Sequence, residues 1–173
     1  MCNSLPVKRY VPYLFFFFLV AALFSCVKKP TYPSEPVIEY KDMIRYGNSA
    51  NPDSIEIVLS FTDNEGDIGL EPTDTNTFKT GNLCMVYYYW DAATGKWLPY
   101  DRTPPLPPFD TLKFFYRVPV ILPPEDKSEP AKGLIFAKQS PFLKAHNRIK
   151  YEIFMYDVAK HKSNVVETPA FDF

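Results

Sequence analysis

Asp53-Ser54-Ile55-Glu56-Ile57-Val58-Leu59-Ser60-Phe61-Thr62 is the stretch that decides the fold. Large apolar side chains stand at 55, 57, 59 and 61, with Glu56, Ser60 and Thr62 between them. Successive side chains of an extended chain point to opposite faces, so this spacing predicts a strand with one buried and one mostly wet face. Residues 148–157 repeat the pattern, with apolar side chains at 149, 151, 153 and 155. Leu83-Cys84-Met85-Val86-Tyr87-Tyr88-Tyr89-Trp90 is a continuous β-prone run, expected of a strand covered on both faces or paired centrally. Residues 91–96 read as a turn, and Trp97-Leu98-Pro99-Tyr100 returns as a hairpin partner.

Working outward, further strands are predicted at 111–121, 132–138 and 164–168, with an opening strand within 37–46. Proline-rich connections at 103–108 and 122–126 separate them, because proline cannot donate to a strand ladder. Pro119 marks an edge strand or a bulge, and only residues 140–146 have the pattern of a short helical turn. About seven strands divided by turn signals predict an all-β, antiparallel β-sandwich over residues 37–173.

Composition agrees. The 173 residues are 46% hydrophobic and 17% aromatic, too apolar for a disordered chain. Nineteen basic against 20 acidic residues argue against a nucleic-acid partner held by a basic field. Eighteen prolines and only 2 histidines argue against a helical bundle and a histidine-dependent enzyme.

The N-terminus carries an address. Lys8-Arg9 precedes a 16-residue, almost wholly apolar run from Tyr10 to Ser25, followed by Cys26. As a helix that run would rise roughly 24 Å, short of a hydrocarbon core of about 30 Å, which suits a secretory signal over residues 1–25. Leu23-Phe24-Ser25-Cys26 resembles the lipobox of bacterial lipoproteins, with Phe24 bulkier than the residue commonest there. The resemblance implies cleavage before Cys26, acylation of its sulfur and a lipid bilayer as partner. Residues 26–36, with prolines at 30, 33 and 36, then form an extended tether. Cys2 leaves with the signal and Cys26 takes lipid, so Cys84 remains alone, expected as a buried small hydrophobe.

Two segments carry a second resemblance. Phe61-Thr62-Asp63-Asn64-Glu65-Gly66-Asp67-Ile68-Gly69-Leu70 resembles the Phe-x-Asp-x-x-Gly-Asp-(Ile/Leu)-Gly signature of cell-envelope lipoproteins of the Bacteroidota. Tyr156-Asp157 through Ser163-Asn164 is similar to the Asp-x-x-Gly-Asn-x-Ser-Asn ending of their immunoglobulin-like modules, with Lys160-His161 in place of Gly-Asn. The likeness implies an immunoglobulin- or fibronectin-like sandwich and no particular activity. Some surface lipoproteins of that phylum carry an acidic export signal after the cysteine. Val27-Lys28-Lys29 stands here instead, which favours a periplasm-facing position on the outer membrane.

Two constellations could carry chemistry. Asp63, Asn64, Glu65 and Asp67 offer hard oxygen donors suited to Ca²⁺, although EF-hand spacing fails because Ile68 stands where the loop glycine belongs. The competing reading is a tight strand-exit loop in which Gly66 and Gly69 take positive φ while Ile68 and Leu70 tuck into the core. Tyr88, Trp90 and Trp97 could form a stacking platform for sugar rings, against a reading as core and cross-strand pairs. His146 and His161 lie in polar, loop-like sequence without a spaced metal or triad partner, and no catalytic arrangement is expected. The expectation is a non-enzymatic outer-membrane lipoprotein that binds or scaffolds an envelope protein, with carbohydrate binding in glycan uptake as the rival.

Overall fold

A computed structural model describes residues 29–48, 51–74, 78, 80–100, 111–122, 129–140 and 143–172. The described residues form nine strands: β1 (Val37–Asn48), β2 (Asn51–Asp63), β3 (Leu83–Asp91), β4 (Lys96–Pro99), β5 (Lys113–Tyr116), β6 (Ala131–Gln139), β7 (Arg148–Met155), β8 (Val166–Glu167) and β9 (Phe171–Asp172). The described residues contain no helix, so none is long and apolar enough to cross a membrane.

The strands form two antiparallel sheets. One has the order β1-β2-β6, and the other runs β4-β3-β7-β8. Both edges of β3 are used. β7 pairs along Leu83–Tyr89, while β5 takes Leu83–Val86 and β4 takes Tyr88–Asp91 on the opposite side. Likewise β9 and β8 share the outer edge of β7, at Arg148–Ile149 and Glu152–Ile153.

Alternation explains the layering. The set Ile55, Ile57, Leu59 and Phe61 faces inward from β2, and Ile149, Tyr151, Ile153 and Met155 face inward from β7. Leu83, Met85 and Tyr87 complete one shared core from β3. Two sheets with their apolar faces on a common core form the layout of a β-sandwich.

Several expectations change in detail. The predicted strand at 111–121 shrinks to Lys113–Tyr116, because the chain then leaves the ladder: the Val118 N–H donates to Asn82 Oδ1 at 3.1 Å. Pro119 makes a parallel bridge with Leu70. The described part of 140–146 is not helical. The hairpin is as expected, with Trp90 opposite Trp97 and Asp91 capping the turn through Ala93 N at 3.1 Å and the Thr94 hydroxyl at 2.6 Å. The signal region 1–25, Cys26 and the loop 103–108 lie outside the described residues.

Candidate functional site

The chain leaves β2 at Asp63 and turns at once. Gly66 has φ 66°, a left-handed conformation that glycine adopts without steric cost. Gly69 corrects the sequence reading: it lacks positive φ and is needed for close approach, since a Cβ there would lie 2.4 Å from Pro119 O. Ile68 and Leu70 tuck into the core as expected.

A residue without any earlier role holds this loop in place. The buried Asn82 carboxamide donates to Ile68 O at 2.6 Å and Tyr156 O at 2.9 Å, while its oxygen accepts from Val118. The exit of β2 is thereby tied to the end of β7. The Val158 N–H adds a bond to Asp67 O at 3.0 Å.

This tie brings Asp157 against Asp63 and Asp67. One oxygen from each of the three carboxylates falls in a group whose members lie within 4.8 Å of one another. Asp63 and Asp157 are fully buried, and Asp67 is half-buried. Asp63 Oδ2 accepts the Asp67 N–H at 3.1 Å, but Asp63 Oδ1 and Asp67 Oδ1 have no donor among the described residues. Burial and the Asp67 charge push the Asp63 carboxyl up to about 6. Burial, then the Asp157 charge, also raises Asp67.

Asp157 is oriented from the following turn. Its Oδ1 accepts the His161 N–H at 2.7 Å, and Oδ2 meets His161 Nδ1 at 2.8 Å. Lys160, at φ 73°, makes the tight return. The bond to Asp157 raises the pKa of the exposed His161 ring.

Of the four sequence-chosen donors, Asp63 and Asp67 converge, whereas Asn64 and Glu65 face the chain before β1. Asn64 Oδ1 accepts the Tyr32 N–H at 3.2 Å, and Glu65 Oε1 accepts the Ser34 hydroxyl at 3.0 Å. Asp157 lay unrecognised as a donor, although it belongs to the second segment that carried the family resemblance. Beside the carboxylates a cleft of about 310 Å³ is lined by Glu65, Asp67, Glu71, Asp74, Leu122 and Val158, among others.

The aromatic strand divides by alternation. Tyr87 is buried and Tyr89 half-buried on the inner side, while Tyr88, Trp90 and Trp97 share the outer side. Trp90, 36% exposed, meets Trp97 edge-on at 5.5 Å. Arg148 lies 5.7 Å above Trp90 and 5.9 Å from Trp97, and Lys150 lies 5.3 Å from Trp97 and 5.8 Å from Tyr88. The result is a half-wet cluster of rings with two cations over it.

The histidines differ from the sequence expectation of polar surroundings for both. His146 stacks on Tyr89 at 3.9 Å and stands edge-on to Tyr100 at 4.9 Å, and burial lowers its pKa. Only His161 sits in a polar turn. Ser163, two residues on, directs its hydroxyl to Asn164 O at 2.7 Å and accepts the Met155 N–H. Cys84 is buried and free, and burial pushes its thiol pKa up.

In comparisons with known proteins, the chain matches no family model, no curated protein and no solved structure.

Proposed function

We propose that this protein is a lipid-anchored component of the bacterial cell envelope whose β domain binds or scaffolds without catalysis. The observation that carries the reading is Leu23-Phe24-Ser25-Cys26 at the point where the apolar run ends. A proline-punctuated segment follows it and leads directly into β1. Two or three acyl chains on one residue would hold firmly, at about 0.8 kcal/mol for each buried methylene. The lysines after Cys26 support the periplasm-facing side of the outer membrane.

The order β1-β2-β6 against β4-β3-β7-β8 supports an immunoglobulin- or fibronectin-like topology, in which the first two strands lie in one sheet and the third crosses to the other. It agrees with the resemblance to Bacteroidota envelope lipoproteins. Non-catalytic binding is favoured because each histidine is engaged structurally, one in an aromatic stack and one on Asp157. Fatty-acid labelling in cells tests the anchor. Wild-type protein should be labelled and Cys26→Ser should not, and label persisting on the variant would defeat the reading.

A second reading, glycan binding, draws on Tyr88, Trp90 and Trp97 sharing one outward side beneath Arg148 and Lys150. Sugar rings stack on such faces and their hydroxyls bond to neighbouring cationic side chains. Retention on immobilised polysaccharides that Trp97→Ala abolishes would support it, and equal elution of both proteins would remove it.

A further inference from the structure

We infer that Asp63, Asp67 and Asp157 form a Ca²⁺ site that clamps the exit of β2 to the turn after β7. This goes beyond the anchoring role and does not rest on it.

Three features carry the inference together. The oxygens lie within 4.8 Å of one another. Ca²⁺ binds oxygen at about 2.3–2.6 Å, so two ligands on opposite sides of the ion stand roughly 4.6–5.2 Å apart. Mg²⁺ demands near-ideal octahedral geometry and gives up its water reluctantly, so it gains less from three converging carboxylates. The donors are carboxylates alone, without the thiolate or imidazole ligands that suit zinc.

The second feature is an acceptor without a donor. Asp63 is fully buried, and its Oδ1 has no hydrogen-bond partner among the described residues. A buried, unpaired carboxylate oxygen is costly, and a cation satisfies it at once. The third is access. Asp67 lines the cleft that also carries Glu65, Glu71 and Asp74, an acidic approach that attracts cations from solvent. Water can enter there to complete the six to eight oxygens that Ca²⁺ prefers.

The groups around the site fit this role. The His161 main-chain N–H and ring hold Asp157 in orientation from the solvent side. Asn64 and Glu65, between the two ligands from the β2 exit, hold Tyr32 and Ser34. An ion on Asp63 and Asp67 therefore also firms the seat of the segment that enters β1. Position 157 is 94 residues beyond position 63, so the ion would close a long loop of chain.

The experiment uses the purified full chain in detergent, stripped with a chelator and titrated with CaCl₂ by calorimetry. One ion per chain is expected, with a dissociation constant of about 10⁻⁴–10⁻³ M, as in extracellular modules. At free Ca²⁺ tens of times that constant, the melting temperature should rise by about 4–8 °C, with a smaller rise in Mg²⁺. Asp157→Asn should lose both responses. Should it fail to fold, Asp63→Asn serves, because the amide keeps the shape without a buried charge; it should fold in chelator and ignore Ca²⁺. Absence of heat and of a melting shift in wild type at about 10 mM Ca²⁺ would overturn the site. A response retained undiminished in Asp63→Asn would overturn it equally.

Discussion

The carboxamide of Asn82 reaches three backbone groups from three separate parts of the chain, at Ile68, Tyr156 and Val118. A carboxamide offers two donors and an acceptor together, and glutamine would carry it one methylene further out. Truncation would leave an N–H and two carbonyls inside the protein without partners. Asn82→Ala should therefore cost about 2–4 kcal/mol in urea unfolding. A loss below about 1 kcal/mol would mean that water replaces the amide. A second prediction concerns Asp63. Its carboxyl is raised to about 6, so the folded state binds that proton more tightly than the unfolded chain does. The resulting stability is present in acid, below the ordinary carboxylate value, and is lost as pH rises through about 6. His161, also raised, acts in the same direction, whereas His146, lowered by burial, acts in the opposite one. Asp63→Asn isolates the first contribution. In chelator, wild type should lose melting temperature relative to this variant between pH 4.5 and pH 7.5. Parallel curves would contradict the raised carboxyl.

Strands with a simple period were legible from sequence, and those defined by partners were not. β2 and β7 repeat every second residue, so their inward sets are the ones observed. The β3–β4 hairpin was readable from its Asp-to-Gly turn, because Asp91 and Gly95 each have a local task there. β5 is shorter than its apolar run because Asn82 captures the Val118 N–H, a tertiary bond with no local signal. β9 is only Phe171–Asp172 and exists because the edge of β7 at Arg148 and Ile149 accepts it. The loop after β2 was half legible. Its glycines and carboxylates stood out, while the need for Gly69 depends on Pro119, distant in sequence. Gly69→Ala should force that contact apart and destabilise by about 1–3 kcal/mol, read as a lower urea midpoint with an unchanged slope. A wild-type midpoint would show that the loop shifts freely.

At the scale of the whole molecule, three consecutive segments differ in composition. An apolar run ends at Cys26, a proline-rich stretch excludes helix, and a two-sheet domain supplies a folded surface. The proposed order of these segments rests on local composition alone. The pairing of distant carboxylates does not, since Asp157 meets Asp63 only after both sheets close. The domain's ring-lined face and its acidic cleft belong to different loops and strands, so variants of one should leave the other intact. Mass spectrometry of the N-terminal peptide, taken from protein extracted out of native membranes, reads the anchor itself. The chain should begin at Cys26 with a diacylglyceryl group on its sulfur; a peptide that retains residues 1–25, or an unmodified Cys26, would refute the anchor.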